Sequence, residues 1–192
     1  MVHPTNWGRE YNASEDQRSR RMVAVIHCIL NHNARDREVA RYPGINHDVV
    51  AVLRKHGVGV IQMPCPEMTC LGLPRTRGPK ESIRDVLDTP KGRSCCQKLS
   101  ISVADTIEEF QHHGYTVAAV LGGDVGSPGC AVPYPLPEAT APTDGSSWGV
   151  FIGALLNELR RRGIQIPVRG IRDSAWETML EDINWLDRLL AG

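Results

Sequence analysis

The sequence carries no excess charge of either sign: 22 Lys and Arg stand against 22 Asp and Glu in 192 residues. That balance removes the electrostatic footprint of a chain that lives on nucleic acid or on an anionic membrane, so nucleic-acid binding is disfavoured. No apolar run approaches the ~18 residues a membrane-spanning helix needs. Residues 1–21 lack the apolar core of a secretory signal and read as a polar extension on a cytoplasmic protein. The triplet Asn12-Ala13-Ser14 then has no meaning as a glycosylation site, because no secretory route is indicated. Also missing is any Cys-x-x-Cys pair, which argues against a zinc ribbon and against a bacterial ferredoxin run.

What the chain does have is six cysteines. In a reducing compartment structural disulfides are rare, and thiols serve as metal ligands, catalytic groups or buried small hydrophobes. The length suits one domain, taken as residues 22–192. Short β-branched runs at Met22 to Ile26, Val58 to Gln62, Thr116 to Leu121 and Ile164 to Val168 predict buried strands. Helical periods lie between them. Asn46 caps one that Gly57 stops, and Leu99, Val103, Ile107 and Phe110 mark a second that ends at Gly114. A third starts at Ser146 or Ser147 and runs to Gly163, and a fourth opens on a capping box, Ser174 with Glu177. Strands alternating with helices predict an α/β domain of three layers, Rossmann-like, with a parallel sheet of about four or five strands. Ligands of such sheets bind beyond the carboxyl ends of the strands, which directs attention to the loops after Ile26, Gln62 and Leu121.

Each of those loops contains a cysteine: Cys28 beside His27, Cys65 between Pro64 and Pro66, and Cys130 after Ser127-Pro128-Gly129. One thiol at each of three strand ends is what a tripod of thiolates aimed at a common point looks like, and soft thiolates favour Zn, Cu(I) or an iron–sulfur cluster. Buried core cysteines are the plain alternative. The stiff proline and glycine turns around Cys65 and Cys130 suit fixed ligands better than core filler. A dyad of Cys28 with His27 is weakened because adjacent residues on an extended chain point to opposite faces.

The strings Cys28-Ile29-Leu30, Arg41-Tyr42-Pro43-Gly44, Cys65-Pro66-Glu67, Gly72-Leu73-Pro74-Arg75 and Ser127-Pro128-Gly129-Cys130, in that order, resemble the thiouracil desulfidase family. They are similar more narrowly to related desulfidases that open with His-Cys-(Ile/Leu/Val)-Leu-Asn. The resemblance implies a [4Fe-4S] cluster held by Cys28, Cys65 and Cys130 with its fourth iron open to sulfur. It implies a non-redox conversion of a thiocarbonyl to a carbonyl with release of hydrogen sulfide, in which Glu67 activates water and Ser127 is the second catalytic residue. The implied partner is a small thiocarbonyl compound, such as a thiolated nucleobase or nucleoside, and the chain is expected as a monomer or homodimer.

His27, Asn31 and Pro43 depart from the parent family's pattern, and these changes are expected to line the pocket side of one loop and to alter the substrate. Asn31 and Tyr42 are candidate substrate contacts; the side chains of Asn31, His32 and Asn33 could instead cap a turn. Cys70, Cys95 and Cys96 read as non-ligands, Asp124 as a turn former, and Arg160-Arg161-Arg162 as a solvent-facing helix end. Two rival readings remain: a sulfide carrier that binds a cluster without hydrolysis, and a cluster-free hydrolase that uses Cys28 or Ser127.

Overall fold

The computed structural model describes residues 16–36, 39–136 and 147–192. Residues 1–15 of the expected extension, the Asn12 triplet and Ser146 lie outside the described residues.

Four apolar runs form the sheet: β1 (Arg21–Ile26), β2 (Gly59–Met63), β3 (Thr116–Gly122) and β4 (Val168–Gly170). All pairings are parallel, in the order β2-β1-β3-β4. β1 and β3 are central, and Val23, Ala24, Val25, Val120 and Leu121 are fully buried. Burial on both faces is why these strands are continuous apolar runs, while β2 at the edge alternates. Two helices, α2 (His47–Lys55) and α7 (Trp176–Ala191), pack together on one face. The long α5 (Pro90–His112) and α6 (Val150–Arg161) pack together on the other. Three short helices, α1 (His27–Leu30), α3 (Pro66–Leu71) and α4 (Ile83–Leu87), occupy the connections after β1 and β2. The result is the expected three-layer, Rossmann-like α/β domain, with four strands. From β1 the chain moves outward to β2 and then crosses back to β3, so a topological switch point lies above the carboxyl ends of β1 and β3.

Several elements depart from expectation for local reasons. The fourth strand begins at Val168 rather than Ile164, because Gly163 in the left-handed region (φ 73°) ends α6 and Pro167 brings no N–H to a ladder. Ile164 and Ile166 are apolar because they cover the edge of the core. The second helix starts nine residues before Leu99, at Pro90, where the Thr89 side chain accepts from Gly92 N and proline fills the first turn. No capping box forms at Ser174: α7 starts at Trp176, and Ser174 N donates to Asp124 Oδ2 at 3.3 Å instead. Arg162 is not solvent-facing; it pairs with Glu158, Asp105 and Glu108 at 2.7–2.9 Å.

The cysteines also divide differently. Cys70 on α3 and Cys95 on α5 form a disulfide, contrary to the expectation that no structural bridge is present. Cys28, Cys65, Cys96 and Cys130 are free. Thiol titration of the cluster-free chain, unfolded without reductant, is therefore expected to find four reactive thiols, rising to six after reduction. Six before reduction would show that the bridge does not form.

Asp182 on α7 is fully buried and accepts from Arg169 Nε at 2.7 Å, Arg172 Nη2 at 2.8 Å and Arg172 N at 2.9 Å. It thereby ties α7 to β4 and to the loop that follows it. Removing one partner of a buried charge pair leaves the other uncompensated, so Asp182→Ala is expected to cost about 3–5 kcal/mol in chemical denaturation. A loss of less than about 1 kcal/mol would contradict this role.

Candidate functional site

Each of the three strand-end cysteines is delivered by a distinct local device. Cys28 is the second residue of α1, directly after β1. Its carbonyl is held by His32 Nδ1 at 2.7 Å, and burial pushes the His32 pKa down, so the neutral ring donates from Nδ1. Cys65 is the N-cap of α3, and its Sγ accepts from Met68 N at 3.4 Å. Pro66 follows at the first helical position, where a missing N–H costs nothing. Cys130 sits in a loop closed by Ser127 N on Asp124 O and by Ala131 N on Ser127 O.

The free N–H groups at the start of α6 stiffen this last loop: Val150 N donates to Pro128 O and Phe151 N to Gly129 O. Gly149 permits that contact, since a Cβ there would stand 2.4 Å from the backbone at Gly129 to Ala131. Gly129 plays the same part on the other side, where a Cβ would meet Pro66 Cγ at 2.5 Å. The loops that carry Cys65 and Cys130 therefore pack directly on one another.

Cys28, Cys65, Cys130, Glu67 and Ser127 all line one cavity of about 490 Å³ at this end of the sheet. Five of the residues singled out in the sequence thus converge. Burial raises all three thiols: Cys28 is pushed up to about 11, Cys65 is raised, and Cys130 is raised well above the usual thiol value, with Cys28, Cys65 and Glu67 adding repulsion. Uncompensated thiolates crowd one another here, and a bound cation would reverse that balance. Glu67 lies in the first turn of α3 with its Oε2 3.6 Å from Arg75 Nε. Ser127 serves as a turn former through its backbone, yet it also faces the cavity. Asp124 likewise does both.

Asn31 and Tyr42 are placed elsewhere. Asn31 caps a turn, accepting from Asn33 N at 3.2 Å. The Tyr42 hydroxyl donates to Asp48 at 2.7 Å, and neither residue lines the cavity. His27 bonds Gln62 at 3.2 Å, and neither it nor Pro43 is on the cavity wall, so the departures from the family pattern do not line the pocket.

Among the wall residues with no role assigned from sequence are Arg35, Asp173 and Arg75. Arg35, in the connection after α1, chelates Asp173 through Nη1 at 3.0 Å and Nη2 at 2.6 Å and shares the cavity wall with Cys28. Asp173 follows β4, and the misplaced fourth strand had hidden its strand-end position. Arg75 stands in a quoted motif; its guanidinium is buried against Cys65 and Glu67. Among the described residues no group of three or more His, Cys, Asp or Glu is arranged to hold a single metal ion.

Fold and site together define a parallel α/β domain with three free thiols gathered beyond its strand ends. The chain is 34% identical over 98 residues, 51% of its own length, to an uncharacterized protein of Methanocaldococcus jannaschii, of which the match spans 60%. No protein-family profile matches the chain, and no solved structure matches it. No described helix is long and apolar enough to cross a membrane.

Proposed function

We propose that this protein is a cytoplasmic iron–sulfur desulfidase that converts the thiocarbonyl of a small molecule, such as a thiolated nucleobase or nucleoside, to a carbonyl and releases hydrogen sulfide. The observation that carries the reading is the convergence of three free thiols, the Glu67 carboxylate and the Ser127 hydroxyl on the walls of one cavity at the switch point of the sheet. The donor set fits a cluster. Three soft ligands on separate walls, without a single-ion site among the described residues, suit a group several ångströms across better than a lone metal. Arg75 Nε, buried and without a hydrogen-bond partner among the described residues, is a further sign that something polar belongs in the space.

Cys28, Cys65 and Cys130 would hold a [4Fe-4S] cluster, which when bound supplies an open iron as a Lewis acid for sulfur. The chain's own groups supply the rest. Glu67 stands beside Arg75 and accepts no hydrogen bond among the described residues, so its carboxylate is available to take a proton from water attacking the thiocarbonyl carbon. The Ser127 hydroxyl is likewise uncommitted and can donate to the substrate or return a proton to it. Replacing S by O with water as the other reactant is hydrolysis, and no electrons are exchanged.

The cluster-free hydrolase has less support. A thiol pushed up to about 11 stays protonated at neutral pH, and the His27 ring that would have to activate Cys28 is bonded to Gln62. Anaerobically purified protein mixed with 2-thiouracil and other thioamides is expected to release hydrogen sulfide and the carbonyl product in equal amounts. Iron-loaded protein that releases no sulfide from any of them would move the chain to the sulfide-carrier reading.

A further inference from the structure

Two of the three cavity thiols have a guanidinium of their own. Arg35 stands with Cys28 on the cavity wall and is itself gripped by both oxygens of Asp173, which is 1% exposed. Arg75 approaches Cys65 Sγ with Nη2 at 3.9 Å, while Nη1 donates to Leu73 O at 2.7 Å and Nη2 also donates to Ala34 O. The Arg75 backbone is in the left-handed region (φ 50°), a conformation a non-glycine residue adopts at a cost of about 1–2 kcal/mol. It follows Gly72 (φ 77°), the residue that ends α3 and turns the chain back toward the site.

The charge on Arg75 is the informative part. Its side chain is 1% exposed, its hydrogen bonds to oxygen run to neutral carbonyls, Nε has no hydrogen-bond partner among the described residues, and Glu67 forms a longer ion pair with it at 3.6 Å. A buried cation is costly unless an anion answers it. Glu67 answers it on the Nε side, and a Cys65 thiolate, its Sγ 3.9 Å from Nη2, adds a second such anion when Cys65 binds metal. Cys130, buried and next to Gly129, which packs on Pro66, accepts no hydrogen bond from a guanidinium among the described residues.

We propose that Arg35 and Arg75 are positioning residues that donate charge-assisted hydrogen bonds to the thiolates of Cys28 and Cys65, stabilise the negative charge of the ligated site and raise the reduction potential of the cluster. This rests on the cluster reading above. The physical ground is general: donors to ligand sulfur favour the reduced, more negative state of an iron–sulfur centre. Asp173 fixes the Arg35 fork in place, and the Gly72-Leu73-Pro74 turn does the same for Arg75. The consequence is asymmetric, since Cys130 is held by packing and the other two ligands are held by charge.

The test is a redox titration of the anaerobically loaded protein, followed by electron paramagnetic resonance, together with the rate at which an iron chelator strips the cluster. Arg35→Gln and Arg75→Gln are expected to shift the midpoint to more negative potential and to lose iron faster, with Arg35→Lys and Arg75→Lys intermediate. In Arg35→Gln with Asp173→Asn, the unpaired carboxylate is removed as well, and the negative shift is expected to persist. If the glutamine variants load no cluster, recovery of loading by lysine supports the proposal, and loss in both shows that packing rather than charge is at work. Glutamine variants with full iron and unchanged midpoint and stripping rate would overturn it while leaving the desulfidase reading intact. Wild-type protein that takes up no iron would overturn both.

Discussion

Serine at Cys28, Cys65 or Cys130 is expected to leave the anaerobically purified protein colourless and nearly free of iron, whereas serine at Cys96 leaves it loaded. The contrast follows from placement. The first three residues line the cavity, one from each strand-end loop, while Cys96 is buried in α5 among core side chains and is not on the cavity wall. A serine hydroxyl is only a little smaller than a thiol but is a hard, weakly acidic donor, whereas soft thiolates suit iron rather than Mg or Ca. Loss of one thiol of three leaves two, and the other side chains of the cavity wall that could take its place are hard carboxylates. Because Cys65 also caps α3, its serine variant retains the cap hydrogen bond to Met68 N, so a loss of iron there cannot be assigned to unfolding. Equal iron in all four variants would mean that the three thiols are core filler, the plain alternative open from the sequence.

Glu67→Gln is expected to keep the cluster and to lower the rate of sulfide release by about 10²- to 10⁴-fold, the usual worth of a positioned general base. KM for the thioamide should change little, because the carboxylate acts on water rather than on the bound substrate. Steady-state sulfide release from the loaded variant measures this directly. Ser127→Ala is the informative companion. The turn at Asp124 to Ser127 is closed by backbone atoms, so it survives the loss of the hydroxyl, and any fall in rate belongs to the side chain. Turnover unchanged in Glu67→Gln would remove the base from its assigned place.

Much of this arrangement is written in local sequence. The meeting of Cys28, Cys65 and Cys130 at one cavity was legible because each of the three follows a β-branched run, which places it at a strand end by topology alone. β1, β2 and β3 were legible for the same reason, as was the Asn46 cap, whose side chain accepts from Val49 N. What was not legible depends on contacts distant in the chain. Ile164 to Val168 looks like a strand because Ile164 and Ile166 are apolar, but pairing is set by Val168 opposite Val120, which no local pattern reports. That displacement hid Asp173. The Ser174 capping pattern failed because Asp124, 50 residues away, takes the Ser174 N–H. Arg35 and Arg75 were invisible as site residues since an arginine in a turn is ordinarily solvated. Their burial is produced by folding three loops together. Cys70 and Cys95 are 25 residues apart, and only the packing of α3 on α5 brings them to a disulfide.

In the proposed function, Cys28, Cys65 and Cys130 hold an iron–sulfur cluster in the cavity beyond β1, β2 and β3. Iron and acid-labile sulfide in the anaerobically purified chain, read with its absorption spectrum, test it most directly. The expected result is a brown protein with iron and sulfide in equal amounts that becomes colourless and iron-free when Cys65 is changed to serine. A colourless, iron-free wild-type chain that still releases sulfide from a thioamide would contradict it.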